Sequence, residues 1–261
     1  MGHITRRPPV SASGETIRMS GLATNVRRAI CLLGLAAALS ASVCAAESAL
    51  AKSRGVSGKA INLLVISSRA NRVQLIDPEY EKELKSAGYN LHVLSHEDML
   101  TADYLRQFGV VVLANVDFGG LKQRKMIRNY VADGGRVVLL GGNHALKRSS
   151  FVDTFVSDML PFNLTKDNTV VKLPQPAVIR GKAASSADEK PAIFWRHVVE
   201  RRSGSVVLAW AGKTPVSLRR AAGKGVVTAF VGTVLGTPKR DETPFWKTQF
   251  WKDHLNTLVR E

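Results

Sequence analysis

The chain has 261 residues, 45% of them apolar and 22% charged, an ordinary globular composition with room for one large domain or two small ones. Its charge is not ordinary: 37 Lys and Arg stand against 21 Asp and Glu, a formal net charge of +16. That excess favours anionic partners. The pairs Arg201-Arg202, Arg219-Arg220 and Lys239-Arg240 are dispersed, however, without interleaved aromatics or a helix-turn-helix pattern, so no specific nucleic-acid binding is expected.

Residues 1–46 read as a targeting segment. Arg27-Arg28 supplies a positive start, and Ala29 to Leu39 a short apolar run, too short to span a bilayer. Small residues from Ser40 to Ala46 offer cleavage after Ala45 or Ala46, and Met19 would make a true start that leaves a signal of ordinary length. The residue before Cys44 is Val43, which suits lipid attachment poorly, and Ala29-Ile30-Cys31 suits a twin-arginine route poorly. The expectation is a bacterial signal peptide and an exported protein, periplasmic or extracellular, with no transmembrane span after cleavage. Cleavage would remove Cys31 and Cys44, the only cysteines, leaving 32 basic and 20 acidic residues, a charge of +12. Such a mature chain has no disulfide, no thiol nucleophile and no Cys metal ligand.

Residues 47–59 form a Ser/Gly/Lys linker, and residues 60–261 read as a single α/β domain. Ile61 to Ser67 is a continuous apolar run, suited to a strand buried on both faces. Asp77, Pro78 and Gly88 bracket a short helix, with the Asp as cap, the Pro in first position and the Gly as stop. Asn90 to Ser95 is a second strand, Thr101 caps a helix reaching Phe108, and Val110 to Val116 is a third strand. Leu121 to Asp133 is the clearest helix, with Ile127, Tyr130 and Val131 on one face and Lys122, Arg124, Lys125 and Arg128 mostly on the other. Gly134-Gly135 ends it, and Arg136 to Leu140 is a fourth strand. Strands alternating with helices of this length imply a parallel sheet.

The second half changes character. Val170 to Leu173 and Ala177 to Arg180 read as short edge strands broken by prolines, and Gly181 to Lys190 as a polar loop. Ser205 to Ala211, Pro215 to Arg219 and Gly225 to Gly232 are strand-like, the last two joined by a glycine-containing hairpin connection. Thr243 and Pro244 are placed at the start of a final helix whose Phe250, Trp251, Leu255 and Leu258 recur at helical spacing and read as core. The expected fold is therefore a flavodoxin-like three-layer α/β sandwich with a mostly parallel sheet and antiparallel strands added in the second half.

The stretch Gly109 to Pro161 resembles the class I glutamine-amidotransferase-like superfamily, closest to its trehalose-utilisation (ThuA-like) and glutamine-amidotransferase branches. The residues that carry the likeness are the strand Val110 to Val116, the helix before Asp133-Gly134-Gly135, the strand Val137 to Leu140, and Gly141-Gly142-Asn143-His144-Ala145. Met159-Leu160-Pro161 and the turn Gly223-Lys224-Gly225 add to it. The resemblance implies the fold. It does not carry over the reaction. Glutamine amidotransferases hold a Cys in the elbow and a late His-x-Glu pair, whereas this elbow holds Asn143 and His144, and neither His197 nor His254 begins a His-x-Glu. The ThuA-like branch often shows a His near the elbow, which His144 matches, and the resemblance thus leaves a non-glutaminase site open.

In open α/β sheets ligands sit outside the carboxyl ends of the strands. Those ends here are Ser67-Ser68-Arg69, Ser95-His96-Glu97-Asp98, Asn115-Val116-Asp117 and Gly142-Asn143-His144. His144 and Asp117 are the candidate catalytic pair. Ser68, Arg69, Asp98, Gly142 and Asn143 are the candidate ligand-binding residues. Structural roles compete for each: a turn that Gly141-Gly142 permit, helix capping, or a solvated charge. His92 and His96 lie on or just past a strand, where four residues span about 13 Å, too far for one zinc, so no metal site is expected. No Gly-x-Ser-x-Gly and no P-loop occurs, and no cofactor is expected. Asn163-Leu164-Thr165 fits a glycosylation sequon, which matters only in a eukaryotic host. Two functions lead, ahead of a cell-envelope scaffold with no small-molecule site. One is a binding or interaction module without glutaminase activity, taking a small polar or anionic ligand or a cell-envelope component. The other is a hydrolase or isomerase of a sugar or polar metabolite that uses the His/Asp site.

Overall fold

Buried apolar runs and the glycines that punctuate them build one large sheet. The computed structural model describes residues 61–67, 76, 78–95, 100–116, 121–146, 154–164, 170–181 and 189–260, and of residues 121, 122, 154 and 155 the backbone alone. The expected signal, the linker, Asp77, Thr165 and most of the loops after the first three strands lie outside them.

The first half alternates as its pattern requires. β1 (Ile61–Ser67), α1 (Pro78–Ser86), β2 (Tyr89–Leu94), α2 (Ala102–Leu105), β3 (Val110–Ala114), α3 (Leu121–Ala132) and β4 (Arg136–Leu140) follow in turn. α2 is a single turn rather than a helix reaching Phe108; Thr101 accepts the N–H of Tyr104 as its cap. The second half adds α4 (Thr154–Ser157), β5 (Phe162–Leu164), β6 (Val170–Gly181), β7 (Pro191–His197), β8 (Val199–Arg201), β9 (Val206–Ala211), β10 (Thr214–Ala222), β11 (Gly225–Phe230), β12 (Thr243–Pro244), a 3₁₀ turn at Phe245–Lys247 and α5 (Gln249–Arg260).

The ten-stranded sheet runs β12-β7-β6-β9-β10-β11-β4-β3-β1-β2. Its right half, β11-β4-β3-β1-β2, is entirely parallel, while β6-β7, β6-β9, β9-β10 and β10-β11 are antiparallel. The parallel order is that of a flavodoxin-like sheet, in which β2 and β3 grow out on opposite sides of β1. Every residue of β3 and β11 is buried, as are five of the seven in β1. Runs of Val, Leu and Ile without alternation are the sequence form of such two-faced burial.

Several elements depart from the sequence pattern. β6 is one strand, and it lies between β7 and β9 rather than at an edge. Its Pro174 and Pro176 fall in the register shift between Lys172 and Ala177, where no ladder N–H is required of them. Thr243-Pro244 does not open a helix: it pairs with the start of β7. α5 begins later, at Gln249, with Thr248 Oγ1 accepting from the Trp251 N–H at 3.2 Å. Glu189, from the polar loop, accepts the N–H groups of Gln249 and Phe250, both at 3.0 Å, which places a carboxylate at the positive end of the helix. Phe230, Phe245 and Trp251 pack ring to ring behind it, as expected for core aromatics. Lys252 of α5 bridges Glu79 and Glu83 of α1, setting the two helices side by side.

Candidate functional site: a hooked turn at the carboxyl edge of the sheet

Because β1, β3, β4 and β11 are mutually parallel, their carboxyl ends (Ser67, Ala114, Leu140 and Phe230) share one edge. The turn after β4, Gly141 to Leu146, sits there between the residues that follow β3 and those that follow β11.

Asn115 holds the turn from one side. It directly follows β3, has a positive φ of 52° and is 1% exposed. Asn tolerates this left-handed conformation because its short polar side chain bonds locally. Its Oδ1 accepts the His144 N–H at 2.8 Å and the Ala145 N–H at 3.2 Å. Two donors at one atom identify it as the oxygen, so the amide nitrogen faces Asn143, donating to its Oδ1 at 3.1 Å. The backbone of Asn115 adds a bond to the Leu140 carbonyl at 3.0 Å.

His197 holds it from the other side. This residue ends β7 and is also 1% exposed. Its Nε2 accepts the Gly142 N–H at 3.3 Å. The ring hydrogen therefore sits on Nδ1, where no acceptor stands against it among the described residues. Burial pushes the imidazole pKa down to about 4, so the ring is neutral at physiological pH. β7 reaches the edge because its own backbone continues into the β11 loop: the His197 N–H donates to Val231 O at 2.9 Å, and Arg196 bridges Gly232.

The two glycines are what allow this closeness. A Cβ on Gly142 would lie 2.1 Å from Asn115 Oδ1, and one on Gly141 would lie 2.4 Å from the Gly232 carbonyl. The Gly141 N–H donates to Phe230 O at 2.8 Å. The N–H groups of Gly141, Gly142, His144 and Ala145 are thus all directed into the protein. An elbow that stabilises an oxyanion must direct such donors at the reacting atom instead.

Of the expected site residues, the structure brings Gly142, Asn143 and His144 together on this turn. Asn143 and His144 are exposed on it. Ser68, Arg69, Asp98 and Asp117 lie outside the described residues, as does His96. His92 is half-buried and packs edge-on against Phe108, with ring centroids 5.1 Å apart. Two residues that matter most were not read as site residues. Asn115 was legible as a polar residue closing a buried apolar strand. His197 closes the apolar run Ala192-Ile193-Phe194-Trp195, a strand-like signal beside a polar loop.

This architecture is a flavodoxin-like α/β fold, and solved structures share it. Solved structures of the same fold include the cytoplasmic protein STM1381 from Salmonella typhimurium LT2, at TM-score 0.60 and 17% identity, covering 77% of this chain and 100% of its own. The cytoplasmic protein STM3548 from Salmonella typhimurium is similar at TM-score 0.58 and 14% identity, over 76% of this chain and 97% of its own. A ThuA-like protein from Bacteroides uniformis ATCC 8492 is similar at TM-score 0.54 and 12% identity, over 79% and 95%. No protein-family model matches the chain, and no curated protein matches it.

Proposed function

We propose that this chain is an exported, amidotransferase-like binding or interaction module that has no glutaminase activity and takes a polar or anionic ligand at the carboxyl edge of its sheet. The observation that carries this reading is the inward direction of the turn's donors. The backbone N–H groups of Gly141, Gly142, His144 and Ala145, the kind of donors from which an acyl-transfer site draws its oxyanion contacts, are bonded to Asn115, His197 and Phe230 instead. Asn143 and His144 occupy the turn, and both cysteines of the chain fall in the first 46 residues. Export rests on the N-terminal residues alone, the Arg27-Arg28 start, the apolar run and the small residues after it. The Salmonella proteins described as cytoplasmic lend it nothing.

His144 is exposed at the edge where substrates bind in this class of sheet, which favours a second reading: a hydrolase or isomerase using His144 with Asp117 or Asp98. One experiment separates the two. The purified chain and its His144→Ala and Asp117→Ala variants are assayed on panels of esters, amides and glycosides. A binding module gives no turnover above the buffer rate. Wild-type turnover that both substitutions abolish would establish the enzyme and remove the module.

A further inference from the structure

The loop after β11 treats its backbone donors in the opposite way to the elbow. Val231 and Thr233 tie it down: Val231 N–H donates to Val216 O at 2.8 Å and Thr233 N–H to Trp195 O at 3.0 Å. Thr233 Oγ1 donates to the same carbonyl at 3.2 Å. Beyond this anchor the pattern changes. Among the described residues no acceptor stands against the N–H groups of Leu235, Gly236 or Thr237.

These three residues line an open cavity of about 540 Å³ together with Lys172, Phe194 and Trp195. That volume lies within the range that holds a small ligand. Gly236 has a φ of 118°, and a Cβ there would lie 2.5 Å from the Phe194 side chain. Only glycine lets the loop settle onto Phe194 in this conformation. Lys172 and Trp195 are direct cross-strand partners on β6 and β7, so their side chains rise from the same face of that ladder. Lys172 is exposed and has no ion-pair partner among the described residues. Trp195 is half-buried.

We infer that this cavity binds a small anion carried on a ring, with the carboxylate or phosphate on Lys172 and the 235–237 N–H groups, and the ring against Trp195. An ammonium and successive backbone N–H groups are the donor set for such an anion. The aromatic and aliphatic lining supplies area that a bare inorganic ion cannot use. The cavity is built on the loop that follows Gly232, whose carbonyl abuts Gly141 of the elbow. The inference rests on the binding-module reading, for which it names the ligand class.

Titration calorimetry of the purified chain with phenyl phosphate, glucose 6-phosphate, inorganic phosphate and glucose tests it. At least one of the two ring phosphates binds tenfold or more tightly than both inorganic phosphate and glucose, and Lys172→Glu weakens that binding at least tenfold. Lys172 is exposed, so this variant folds; Thr237→Pro, which removes one loop N–H, weakens binding in the same direction. Equal affinity for inorganic phosphate and the ring phosphates would show an adventitious ion only and overturn the proposal. So would binding that Lys172→Glu leaves unchanged or the absence of binding by any probe. If His144→Ala abolishes binding while Lys172→Glu does not, the ligand belongs to the elbow: the cavity is wrong and the module reading stands. The module reading fails separately, through turnover on the substrate panels.

Discussion

The Gly142 N–H donates to His197 Nε2 across 55 residues of sequence, at 3.3 Å. That bond ties the end of a strand in the antiparallel half of the sheet to the turn that closes the parallel half. With Asn115 on the opposite side, the turn is held by two buried polar side chains, one from β7 and one from the residue after β3. Its conformation follows from long-range bonds more than from the two glycines that permit it.

Asn115 is the residue whose loss disturbs the turn most. Asn115→Ala strands the His144 N–H, leaves the Ala145 N–H only its 3.3 Å bond to the Gly142 carbonyl, and removes the donor to Asn143. A buried donor left without an acceptor costs about 1–3 kcal/mol. Partial access of water to His144, which is exposed, lowers the sum. A loss of about 1–3 kcal/mol is expected in urea unfolding at neutral pH. Asn115→Asp keeps the acceptor oxygen and is expected to lose less.

The parallel strands, the helix α3 and the elbow were legible because each is a local pattern: an apolar run, a 3.6-residue stripe, a pair of glycines. The hooks were not, because His197 and Asn115 act on a turn 55 and roughly 30 residues away. β7 was missed for a related reason. Its run Pro191 to His197 follows a polar stretch and owes its place to partners on both sides, β6 and β12. β6 was split at its prolines because a register shift that accommodates them leaves no mark in the sequence. At Thr243-Pro244 the residues suit a helix start, and pairing with β7 overrides that preference.

Two buried imidazoles make the fold acid-sensitive. His197 and His254 are each 1% exposed, and burial lowers both pKa values from 6.5 to about 4. Unfolding lets both rings take up protons at their ordinary pKa. The folded state is therefore favoured above pH 6.5, and stability declines as pH falls from 6.5 to 4, by on the order of 3 kcal/mol for each His. Urea midpoints at pH 7.5 and pH 4.5 check this. His254 stacks on Phe250 at 5.6 Å, and neither ring nitrogen has a hydrogen-bond partner among the described residues. His254→Phe should therefore be near neutral at pH 7.5 and should remove part of the acid loss.

The start of α5 carries a smaller, separable contribution. Glu189 and Thr248 take three of its first N–H groups between them. Thr248→Ala is expected to cost about 1 kcal/mol, as a helix cap does. Glu189→Gln keeps only one of the two acceptor oxygens, sets an amide NH2 against the other N–H and loses the charge at the helix end, and is expected to cost about 1–2 kcal/mol, less at high salt. Thermal melts of the two variants at low and high ionic strength measure both, and only the Glu189 effect should shrink with salt.

Amide hydrogen exchange at the elbow is the most direct measurement of the central claim, that the turn's donors face inward and are unavailable to a substrate. The N–H groups of Gly142, His144 and Ala145 should be protected despite the exposure of the turn, while those of Leu235, Gly236 and Thr237, on the neighbouring loop, exchange at nearly free rates. Free exchange at Gly142 and His144 would contradict it, since those donors would then be open to bind an oxyanion.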